Sequence, residues 1–183
     1  MTRKTLILLA FTLLVVSAAC GGGSSGVAGA SGGSSNLAAS FVPDITSPGA
    51  ETVAFAEAAT SGNLVTVQVN VTDTNNVHTA AFDVVFDAGS VEFVGHSAGS
   101  FLEQGGNSPV YQVGSSAGRI VVGVSRGGSS GADASGSANL MSLVFRATSA
   151  GQSQVSVVNA TLRDGNLDDI PNVDWFGGSM VAN

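Results

Sequence analysis

At 183 residues the chain is long enough for one domain with its own core, and 10% charged residues beside 25 glycines exclude a coiled coil or a helical bundle. Apolar residues make up 44% of the chain and recur in patterned runs, which excludes a disordered acidic chain. The net charge is −7, and without Arg3 and Lys4 it becomes −9, from four arginines, no lysine and thirteen acids; such a chain has no basic footprint for nucleic acid or anionic lipid.

Met1–Lys4 carries two positive charges, and Leu6–Val16 is an uncharged apolar run of eleven residues. A membrane-spanning helix needs about 20 residues, so this run suits the core of an export signal over residues 1–19. Ser17-Ala18-Ala19 then leads into Cys20, the single cysteine. Small residues before a lone cysteine resemble the lipobox of bacterial lipoproteins, with Ser17 standing where leucine is usual. The resemblance implies cleavage before Cys20, its lipidation, and anchoring in the cell envelope. Gly21, rather than an aspartate, after the cysteine implies the outer membrane. The plainer alternative is a secretory signal cut near Ala19 that leaves a free thiol. One cysteine excludes a disulfide within the chain and argues against a cysteine-ligated metal. Gly21–Asn36 holds seven glycines and five serines in sixteen residues, a composition that cannot bury apolar surface. Residues 20–48 are therefore expected to form a tether with an r.m.s. reach of roughly 30 Å.

From residue 49 the hydrophobic period is two, which predicts strands. Val53–Glu57 opens the series. Val65, Val67, Val69 and Val71 alternate with polar residues, then Phe82, Val84 and Phe86 alternate with Ala81, Asp83 and Val85. Val91 and Phe93, Val110–Val113, and Ile120, Val122 and Val124 follow. Met141, Leu143, Phe145 and Ala147, then Val155 to Leu162, and a final run Trp175–Val181 complete about nine strands. Turn residues separate them at Ser61-Gly62-Asn63, Asn75-Asn76, Ala88-Gly89, Gly105-Gly106-Asn107 and Asp164-Gly165-Asn166. Many short strands, each with one apolar face, predict an all-β antiparallel sandwich. Parity places Phe82, Phe86, Phe93 and Phe145 in the core.

The order of these features resembles a cohesin domain, the nine-stranded jelly roll that receives dockerin modules. The residues that carry the likeness are Leu64–Val71, the turn Phe86-Asp87-Ala88 with Val91-Glu92-Phe93 after it, Arg119–Ser125, Leu140–Phe145, Asp164-Gly165 and Gly178–Val181. In that turn Phe86, Asp87 and Ala88 stand for the family's Tyr-Asp-Pro. The resemblance implies a non-enzymatic binding module whose partner is a dockerin-like protein. It also implies a partner-binding sheet face made of the family's third strand and the Arg119–Ser125 strand. Parity turns Thr79, Ala81, Asp83, Val85, Val121 and Gly123 outward on that face. Two positions that are often Asn and Asp in the family are Thr79 and Ala81 here, so carboxylate or carboxamide contacts are not expected from them. The negative charge predicts a bias towards basic or calcium-loaded partners.

Three chemistries compete with a binding role. Gly95-His96-Ser97-Ala98-Gly99 matches the G-x-S-x-G elbow of esterases. The pattern also starts at Gly22, Gly29, Gly114 and Gly127, so it reflects composition, and no histidine follows His96 to serve as base. Asp164, Asn166 and Asp168 resemble the start of a calcium loop. Asp169 then replaces the turn glycine and Trp175 the bidentate glutamate, so a polar hairpin turn is the expected structure, and no metal or other cofactor is expected. Envelope polysaccharide is the alternative partner, but Trp175 and Tyr111 are the chain's only Trp and Tyr, too few for a stacking strip.

Overall fold

The computed structural model describes residues 37–127 and 133–183; the leader, Cys20 and the Gly/Ser segment lie outside the described residues. Eleven strands follow in order: β1 (Ala39–Pro43), β2 (Thr52–Ser61), β3 (Leu64–Val77), β4 (Thr79–Phe86), β5 (Val91–Ala98), β6 (Val110–Ser116), β7 (Arg119–Ser125), β8 (Ala134–Ala147), β9 (Gly151–Arg163), β10 (Asp174–Phe176) and β11 (Gly178–Ala182). A single short 3-10 turn, Phe101–Gly106, lies between β5 and β6. One sheet runs β1-β11-β9-β4-β7-β6 and the other β10-β2-β3-β8-β5. All pairings are antiparallel except β10 with β2. The expected all-β sandwich is the observed fold.

The period-two pattern explains the layers, because alternate side chains of a strand leave on opposite faces. Val65, Val67, Val69 and Val71 of β3 are buried, and so are Ile120, Val122 and Val124 of β7 in the opposite sheet. Aromatic rings join the sheets. Phe82 meets Phe55 at 6.4 Å in an edge contact and Trp175 at 5.3 Å, and Phe86 meets Phe145 at 5.7 Å. Phe82, Phe86 and Phe145 are core residues as expected. Phe93 is only half-buried and packs on Phe145 at 6.1 Å, because β5 is the edge of its sheet.

Four local features depart from the sequence reading. The folded unit starts before residue 49: β1 pairs with β11 from Ala39↔Ala182 to Pro43↔Gly178, and Phe41 is buried. Five residues are too few to display a period, so this strand reads as linker. The expected turn at Asn75-Asn76 is an irregular stretch inside β3, which bends through positive φ at Asp73 and Asn76 and stays paired with β8 at Thr74 and Val77. In β8 the register with β3 slips between Met141 and Asn139, so Leu140 is an extra residue and is buried beside Met141. Its carbonyl accepts the Tyr111 hydroxyl at 3.0 Å and the Gly99 N–H at 3.2 Å. Finally, the run Trp175–Val181 divides at Gly177 and serves both sheets. A side chain at Gly177 would strike the Val155 carbonyl, and one at Gly178 the Phe41 ring, so this crossing requires glycine.

Candidate binding face

The outer face of β9-β4-β7-β6 is built by register. Four rows cross it: Arg163, Thr79, Ser125 and Val110; Thr161, Ala81, Gly123 and Gln112; Val158, Asp83, Val121 and Gly114; Ser156, Val85, Arg119 and Ser116. All six expected face residues, Thr79, Ala81, Asp83, Val85, Val121 and Gly123, therefore share one face. Val121 is 52% exposed and Val85 39%. Thr79, Ala81, Gly123 and Ser125, with Val110 and Gln112 beside them, line a shallow groove of about 320 Å³. The groove exists because Ala81 and Gly123 put almost no side chain above the sheet.

Asp83 takes the outward parity that the sequence predicts for it. It points outward and is still only 6% exposed. Arg119, two positions along from Val121, lays its guanidinium on the Asp83 Oδ2 at 2.5 Å. Asn159 donates its amide to the same oxygen at 2.7 Å. Asn159 reaches it because β9 carries an irregularity opposite Ala81–Asp83, where Asn159 takes a φ of 52°. These two hydrogen bonds, Asn159 foremost, hold the Asp83 carboxyl below the usual carboxylate range despite burial. Neither partner was among the expected site residues. The available signal was an acid on the outward parity of an apolar strand, which requires a partner to be covered.

Around this pair the face mixes exposed valines with small uncharged polar residues, and its charges are paired. Seven large apolar side chains are exposed among the described residues, and Val85, Val110, Val121 and Val158 all lie here. Its two arginines are both paired, Arg119 with Asp83 and Arg163 with Asp169 at 2.7 Å. The −9 of the chain outside the leader is thus carried by acids other than those paired at this face.

The Asp164–Asp169 turn is a self-contained hydrogen-bonded unit. Asp164 Oδ1 accepts the N–H groups of Asn166 at 2.9 Å and Asp168 at 3.0 Å, and the Asp168 amide foremost keeps the Asp164 pKa low. The weak metal candidates Asp164, Asn166 and Asp168 therefore make a polar turn. Among the described residues no group of three His, Cys, Asp or Glu side chains converges as a metal site. The turn is not remote from the face, since Asp169 also accepts the Thr161 hydroxyl at 3.0 Å.

Ser97 and His96 lie inside strand β5, paired with Ser142 and Leu143. Neighbours in a strand point to opposite faces, so the two do not form a nucleophile–base pair. Tyr111 spends its hydroxyl on Leu140 and Gly99, and Trp175 packs on Phe82. Neither ring is a free platform for a sugar.

The family model for the cohesin domain matches residues 41–180. Among solved structures the chain is similar to the sixth cohesin of scaffoldin B from Acetivibrio cellulolyticus, a structure solved in complex with a Cel5 dockerin; the two are 22% identical with a TM-score of 0.56, over 76% of this chain and 96% of that one. It is similar to the second type II cohesin module of the adaptor ScaA scaffoldin of the same organism, at 13% identity and a TM-score of 0.57, over 70% and 87%. It is also similar to a non-cellulosomal cohesin from the archaeon Archaeoglobus fulgidus, at 18% identity and a TM-score of 0.50, over 76% and 88%. No curated protein matches the chain.

Proposed function

The chain belongs to the cohesin domain family, and from that premise we propose that it is a non-catalytic protein-binding module, held at the cell envelope by a lipid on Cys20. The outer face of β9-β4-β7-β6 receives a dockerin-like partner. The observation that carries this reading is the gathering of four of the seven exposed large apolar side chains on one flat, charge-balanced sheet face. A patch of this kind marks an interaction surface, whereas scattered exposed valines do not. Solved relatives named as cohesins in complex with dockerins support the class of partner. A glycan partner lacks support, because the chain's only Trp and Tyr pack internally.

The test is binding of the full chain to a panel of dockerin modules. Val121→Arg puts bulk and charge at the centre of the face and is expected to abolish any binding found. Asp168→Asn, in the turn, is expected to leave it unchanged. Binding that survives Val121→Arg and is lost with Asp168→Asn places the site at the turn and overturns this reading.

A further inference from the structure

The third row of the face carries a buried carboxylate between two exposed valines: Val158, Asp83 and Val121 are register neighbours on β9, β4 and β7. Both hydrogen bonds to that carboxylate, from Arg119 and Asn159, fall on Oδ2. Among the described residues nothing donates to Oδ1, and Oδ1 is not among the solvent-sealed polar atoms that lack a partner. Asp83 is thus more than nine-tenths buried, fixed in place by two donors, and open at one acceptor oxygen. The cover over Asp83 is the exposed side chains of Arg119 and Asn159, and a partner seated on the flanking Val85, Val121 and Val158 would exclude the remaining water, the condition under which a few contacts carry most of the binding energy.

Resting on the reading of this face as the binding surface, we propose that Asp83 Oδ1 is its recognition centre, and that the partner is an apolar, uncharged protein surface presenting one neutral hydrogen-bond donor, a hydroxyl or an amide N–H. Charge complementarity selects that chemistry. The Arg119 guanidinium already balances Asp83, so an incoming lysine or arginine would bring an uncompensated cation into a dry interface. A partner carboxylate would meet the Oδ1 lone pairs. A neutral donor satisfies Oδ1 and leaves the pair intact, while Val85, Val121 and Val158 supply apolar contact around it. The centre lies two to four residues along β4 from Thr79 and Ala81, where the sequence comparison had looked for polar recognition.

The probe is a displayed library of dockerin modules with randomised helix surfaces, selected on the full chain. Selected binders are expected to be lost with Val121→Arg, to carry Ser, Thr, Asn or Gln at the position opposite Asp83, and to change affinity less than about threefold between low and high salt. The double variant Asp83→Val/Arg119→Val removes the ion pair from the centre of the face without leaving either charge unpaired; its fold is checked by thermal melting. Loss of about tenfold or more in affinity in this variant supports the proposal, matching a hydrogen bond to a charged acceptor. Asp83→Asn/Arg119→Gln, which keeps an acceptor oxygen and leaves no unpaired cation, is expected to bind within about threefold of wild type. Binding by the double variant as tight as wild type overturns the recognition centre and leaves the face reading standing. Binders with Lys or Arg opposite Asp83, or a tenfold loss with Asp83→Asn/Arg119→Gln, overturn the neutral-donor assignment. An empty selection, or binders indifferent to Val121→Arg, overturns the face reading itself.

Discussion

Asp83 shows how a single residue joins stability to the face. Its pKa is held low by the Asn159 amide first and the Arg119 guanidinium second. A carboxyl with a depressed folded pKa contributes stability that is complete above its unfolded pKa of about 3.9 and is lost as pH falls through the folded value. Asp87, held mainly by the Ser90 hydroxyl, and Asp164, held by backbone amides, act in the same direction. Melting temperature is therefore expected to fall as pH drops below about 5, and to fall less steeply in Asp83→Asn than in wild type. Parallel curves for the two proteins would show that the Asp83 cluster contributes no such stability. The outward parity of Asp83 could be read from the sequence. Its burial could not, because Arg119 and Asn159 lie 36 and 76 residues further along the chain and meet it only across strands.

At the scale of elements, the strands with several alternating positions were legible and the short ones were not. The runs Val65–Val71 in β3 and Met141–Ala147 in β8 each carry four buried apolar residues at alternate positions, which suffices to set their face. β1, with five residues, and β10, with three, are strands because of what they pair with. The split of Trp175–Val181 depends in the same way on close approach at Gly177 and Gly178. Gly177→Ala is expected to destabilise the domain by about 1–3 kcal/mol, the usual cost of forcing atoms into a filled space. Gly114, on β6, has open space where a side chain would go and ordinary backbone, so Gly114→Ala is expected to stay within about 0.5 kcal/mol of wild type. Chemical denaturation of the pair measures both; equal stabilities would show that the crossing tolerates a side chain.

For the whole molecule, the proposal couples a tether to a docking face. On that proposal, a lipid on Cys20 and the Gly/Ser-rich composition after it would leave the face free to meet partners within the reach of a linker. Wild type is expected to fractionate with membranes, and Cys20→Ser to appear in the soluble fraction or as an uncleaved precursor. Wild type found at full abundance in the medium would remove the anchor from the reading. Thermal melting of the purified variant should match wild type, because Cys20 precedes the first strand, which begins at Ala39.

The sequence by itself determined the fold class, the two-faced strands and the outward set Thr79, Ala81, Asp83, Val85, Val121 and Gly123, because side-chain direction in a strand follows from a period of two. Only the tertiary structure decided that β6 and β9 complete the face, that Val110 and Val158 join Val85 and Val121 on it, and that its charges cancel. Those facts depend on register between strands far apart in the chain, and register is set by packing of the buried face as a whole rather than by any one segment.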